Sequence, residues 1–119
     1  MRKLILIAED EYGLAEVLAQ LMCDRGHDAQ LAVNGAAALE RMSERLPDLL
    51  LLDLMMPLLD GVGLLRRMRA DPRLAPIPVI LMTAQPGEIP PDIAAIVQGV
   101  LPKPFTPDAL LGTVARLLR

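Results

Sequence analysis

The chain has 119 residues, the length of one ordinary domain, and residues 1–119 are expected to bury a single core without disulfides or metal staples. Fifteen acidic against twelve basic residues give a net charge of −3. That offers no basic field for phosphate backbones, so no direct nucleic-acid contact is expected, and one Phe, one Tyr and no Trp exclude an aromatic platform for bases or sugars.

Leu4-Ile5-Leu6-Ile7-Ala8 reads as a short buried strand that stops at Glu9-Asp10-Glu11. It is too short for a signal peptide or a membrane span, so no membrane attachment is expected. Leu14, Val17, Leu18, Leu21 and Met22 then recur at helical spacing up to Gly26. The lone cysteine, Cys23, has no internal partner and sits in that helical pattern, where a buried small hydrophobe in a reducing cytoplasm is expected. His27, without a second His or Cys nearby, reads as a surface loop residue. A weaker strand covers Asp28 to Val33, and a helical pattern after Asn34-Gly35 runs through Ala38, Leu39, Met42 and Leu46 to Pro47.

The run Leu49-Leu50-Leu51-Leu52-Asp53 is a strand covered on both faces, as in a parallel sheet, and it ends in a single carboxylate, with Pro57 turning the chain away. Asp60 can cap a helix carrying Leu64, Leu65 and Met68 up to Asp71-Pro72. Ile77 to Met82 is a fourth strand, delivering Thr83-Ala84 to the same edge as the carboxylates. A short helix from about Pro91 to Val97, a stubby strand over Gly99 to Pro102 and a helix opened by Thr106-Pro107 complete the chain. Five strands alternating with five helices imply right-handed crossovers and a parallel sheet between two helical layers, an α/β fold.

Each of four strands ends in polar chemistry: Glu9 and Asp10 after the first, Asp53 after the third, Thr83 after the fourth, Lys103 after the fifth. Each also has a plain reading. Asp53 could be a turn aspartate, Glu9 and Asp10 could favour the positive end of the following helix, Thr83 could bond locally, and Lys103 could be a solvated loop charge. Taken together, converging carboxylates call for a positive partner, and a hard divalent cation, Mg²⁺ above all, suits an oxygen-only site. Thr83 and Lys103 add donors suited to phosphoryl oxygens.

Ala8-Glu9-Asp10-Glu11, Leu52-Asp53-Leu54-Met55-Met56-Pro57 with Asp60-Gly61, Met82-Thr83-Ala84 and Lys103-Pro104-Phe105 resemble the receiver domain of two-component response regulators, in order and along the whole chain. The resemblance implies a flavodoxin-like (βα)₅ fold with strand order 2-1-3-4-5. It implies that Asp53 accepts a phosphoryl group from a sensor histidine kinase or histidine phosphotransfer protein. Asp10, Asp53 and the backbone carbonyl of Met55 would hold Mg²⁺, with Glu9 completing the pocket directly or through water. Thr83 and Lys103 would contact the phosphoryl group, and a homodimer could form through the face of the fourth helix, fifth strand and fifth helix.

Other classes fit less well. A receiver-like adaptor that is never phosphorylated would not need Asp10, Asp53, Thr83 and Lys103 together, and an aspartate-based phosphatase would place a second acid where Met55 stands. A nucleotide-binding protein would need glycines or hydroxyls after the first strand, where this chain has acids. The chain departs from the usual receiver pattern in carrying Glu9 at an aspartate position and Val100 where many receivers have Tyr or Phe. Pro86, Pro90 and Pro91 are expected to stiffen or shorten the fourth helix.

Overall fold

The computed structural model describes residues 2–56 and 58–118. Pro57, expected to turn the chain after Asp53, lies outside the described residues. The elements follow in strict alternation: β1 (Leu4–Ala8), α1 (Tyr12–Asp24), β2 (Asp28–Ala32), α2 (Gly35–Glu44), β3 (Leu49–Asp53), α3 (Gly61–Ala70), β4 (Val79–Thr83), a 3₁₀ turn (Pro86–Glu88), α4 (Pro91–Ala94), β5 (Gly99–Pro102) and α5 (Pro107–Leu117). All pairings are parallel, in the order β2-β1-β3-β4-β5.

The apolar runs become central strands because both their faces are covered. Successive side chains point to opposite faces of a sheet. Leu6, Leu50, Leu52 and Leu81 accordingly pack with Ala38 and Met42 of α2, Leu64, Leu65 and Met68 of α3 and Ile93 of α4. Ile5, Ile7, Leu49, Leu51, Ile80 and Met82 pack on the other side with Leu18 and Met22 of α1 and Leu110 and Val114 of α5. Each such leucine removed from water stabilises the fold by about 1.5–3 kcal/mol. Helix starts follow from caps: the side chains of Asn34, Asp60 and Thr106 accept hydrogen bonds from the amides of Ala37, Gly63 and Ala109.

Three expectations need correction. Cys23 is exposed, because α1 buries Ala15, Leu18 and Met22, and the residue after Met22 is rotated out of that stripe. His27 does lie in a loop, partly exposed, where its Nδ1 accepts a hydrogen bond from the Lys3 amide at 3.3 Å. The fourth strand begins at Val79 rather than Ile77, since the Ile77 amide donates back to Leu74 and Pro78 has no amide to give. The fourth helix ends at Ala94 rather than Val97. Gln98 is drawn into the start of β5, where its amide donates to the Val79 carbonyl and its side-chain carbonyl accepts from the Val79 amide.

Candidate functional site

The polar strand ends come together at the carboxyl edge of the sheet because they sit at adjacent register positions: Ala8 opposite Leu52, Asp53 opposite Met82, Thr83 opposite Pro102. Backbone bonds carry that register past the strand ends. The Glu9 amide donates to Ala32 O at 3.0 Å, that of Leu54 to Met82 O at 3.2 Å, and that of Lys103 to Thr83 O at 2.7 Å. Glu9, Asp53, Thr83 and the backbone of Lys103 are therefore fixed by the ladder and its continuation, whereas Asp10 stands beyond it.

Glu9, Asp53 and Thr83 are the buried polar residues among those described, at 1%, 5% and 2% exposure, whereas Asp10 is exposed. One oxygen from each of Glu9, Asp10 and Asp53 lies within 4.8 Å of the others, a cluster of hard oxygen donors that fits a divalent cation. Lys103 reaches into the same space, with its Nζ 2.8 Å from Glu9 Oε1 and 3.5 Å from Asp53 Oδ2. Burial pulls the ammonium's pKa down, but the hydrogen bond to Glu9 and the charge of Asp53 outweigh it and leave the pKa above its ordinary value.

Of the remaining candidates, Met55 is exposed and Thr83 is buried. The Met55 amide donates to Asp53 Oδ1 at 3.1 Å, and its side chain is exposed, whereas the neighbouring Met56 packs into the core. Thr83 Oγ1 accepts from the Gln85 amide at 3.0 Å, a local bond that shapes the turn after β4. The loop after Asp53 is fastened twice: the Gly61 amide donates to Leu54 O and the Gly35 amide to Leu59 O, each at 3.0 Å. A Cβ on Gly61 would stand 2.8 Å from Leu54 Cα, and one on Gly35 would collide with the Leu59 carbonyl, so both approaches need glycine. Sequence reasoning missed the pairing of Lys103 with Glu9. The signal for it was the extra methylene of glutamate, which lets the first acid reach across the pocket.

The model of the response regulator receiver domain matches residues 5–115. The chain belongs to the response regulator receiver family. As a receiver domain it is similar to the DNA-binding dual master transcriptional regulator RpaA of Synechocystis, with 36% identity over 118 residues that cover 97% of this chain and 48% of that protein. It is similar also to the DNA-binding response regulator MtrA of Mycobacterium tuberculosis, with 34% identity covering 100% of this chain and 52% of that one. Among solved structures, the receiver domain of a signal transduction histidine kinase from Syntrophus aciditrophicus superimposes with a TM-score of 0.85 at 32% identity, covering 98% of this chain and 89% of that one.

This receiver domain is thus a module of phosphorylation-based two-component signalling with the flavodoxin-like strand order. It spans about half the length of the relatives it matches. The expectation of no direct nucleic-acid contact is not supported by them, since both are named as DNA-binding regulators and the charge of one domain does not speak for the rest of such a protein. No helix among the described residues is long and apolar enough to cross a membrane.

Proposed function

We propose that this receiver domain takes a phosphoryl group onto Asp53 from a phosphohistidine of a sensor histidine kinase or histidine phosphotransfer protein, in the cytoplasm. The observation that carries this reading is the buried Asp53 carboxylate, sharing one pocket with Glu9, Asp10 and the Lys103 ammonium. A carboxylate oxygen of Asp53 forms the new P–O bond as the P–N bond to the imidazole breaks, and the imidazole leaves with the electron pair. Mg²⁺, held by Asp10, Asp53, the Met55 carbonyl and Glu9, would supply positive charge against that gathering on the transferred group.

Lys103, already 3.5 Å from Asp53 Oδ2, pairs with a phosphoryl oxygen, and the Thr83 hydroxyl turns from its local bond to donate to another. Phosphorylation then biases a two-state surface rather than releasing a product, with the α4-β5-α5 face as the place where a second copy would dock. Acetyl phosphate with Mg²⁺ should add one phosphoryl group by intact-mass analysis, and Asp53→Ala should abolish the adduct. No adduct on the wild type, or an undiminished one on Asp53→Ala, would defeat the assignment.

A further inference from the structure

We propose that the cleft between α3 and the chain after α4 is a binding site for a small apolar carboxylate, and that its occupation holds the α4–β5 segment in place. The cleft measures about 300 Å³ and lies beside Val79, the first residue of β4, at the other end of that strand from Thr83. Its walls are aliphatic: Met68 of α3, Leu74 and Ile77 of the following loop, Val79, and Ile96 after α4. All but Ile96 are buried. A recess lined this way holds water poorly and takes up apolar molecules, and its size suits a small molecule rather than a protein surface.

The fold opens the cleft by ending α4 early. α3 and α4 each lead away from a strand of the same parallel sheet, so they run in the same direction. Arg66 of α3 reaches Asp92 of α4, with Nε 3.4 Å from Oδ2. One turn further along the same face of α3 stands Arg69, but α4 has ended at Ala94 after four residues. Arg69 lines the cleft, is exposed, and pairs with no carboxylate among the described residues. Asp71, close by in sequence, is taken by Arg73 at 3.7 Å. An aliphatic recess with one unanswered guanidinium fits a ligand that is apolar in body and carries a single carboxylate, which the planar guanidinium can meet with two hydrogen bonds.

Ile96 ties the site to the segment between the four-residue α4 and the edge strand β5. A ligand bridging α3 and Ile96 opposes opening of that segment, because opening releases it. The site makes no use of Asp53, so it stands independently of the phosphoryl-transfer reading.

The probe is hexanoate, titrated into the whole chain methyl-labelled in Ile and Val and followed by NMR. The methyls of Ile77, Val79 and Ile96 should shift and saturate with a Kd on the order of 1 mM, while those of Ile5 and Ile7 on the other face of the sheet stay in place. Hexanol, a similar body without the charge, should bind about tenfold more weakly, and Arg69→Gln should weaken hexanoate about tenfold while leaving hexanol unchanged. At about ten times the wild-type Kd, hexanoate should slow exchange of the Ile96 amide about tenfold in the wild type and about twofold in Arg69→Gln.

Shifts that do not saturate, or that centre on Ile5 and Ile7, overturn the site. Hexanol matching hexanoate, or full hexanoate affinity in Arg69→Gln, overturns the role of the charge and with it the proposal. Ile96 exchange unmoved by saturating hexanoate overturns the hold on the α4–β5 segment. Arg69 is exposed, so the variant should fold, and unshifted Ile5 and Ile7 signals verify that it does.

Discussion

Strands β1 and β3 present Asp53 and the acids after Ala8 from the middle of the sheet, each with all five residues buried, whereas Lys103 follows β5, a four-residue edge strand in which only Leu101 is buried. The helices covering β1 and β3 run from 10 to 13 residues, but β4 reaches β5 through a 3₁₀ turn and the four-residue α4. The buried strands carrying Glu9 and Asp53 are therefore expected to open only when the whole domain unfolds, and the segment leading to the lysine to open more readily. On the proposed reading, the phosphoacceptor would lie on the stiff side and the lysine that contacts the phosphoryl group on the soft side.

The sharpest test of that contrast is Leu51→Ala. Leu51 is fully buried in β3, and the truncation should cost about 2–5 kcal/mol, read as a lower urea midpoint with an unchanged slope. A loss under about 0.5 kcal/mol would show that the centre of the sheet is not what holds the acids. Native-state hydrogen exchange probes a smaller difference. The amides of Leu50 and Leu52 should exchange only through global unfolding, and those of Ile96 and Gln98 through openings roughly a few kcal/mol cheaper. Equal protection in the two segments would erase the contrast. The smallest effect belongs to Val100→Ala, at 37% exposure on the edge strand, which should change stability by about 0.5 kcal/mol or less in the same urea titration.

The stiff side was also the legible one. Leu4–Ala8 and Leu49–Asp53 were readable to the residue, because a strand buried on both faces leaves a continuous apolar run that ends where the chain meets water. Asp60 and Thr106 announced their helices because capping is local chemistry. From these follows the convergence of Glu9, Asp10, Asp53, Thr83 and Lys103 on one edge. What sequence could not show depends on competition between distant groups. The end of α4 is decided by Gln98 bonding Val79, 19 residues away. The exposure of Cys23 turns on which stripe of an apolar helix faces the sheet. The Glu9–Lys103 pair spans 94 residues and turns on the length of one side chain.

The doubly fastened loop between Leu54 and Gly61 works as a closed buckle. With its near end tied to its far end and Leu59 tied to the start of α2, it is held by backbone bonds that a side chain at Gly61 or Gly35 would push apart. How closely that loop is held is therefore set by two positions that contribute no side chain to the pocket.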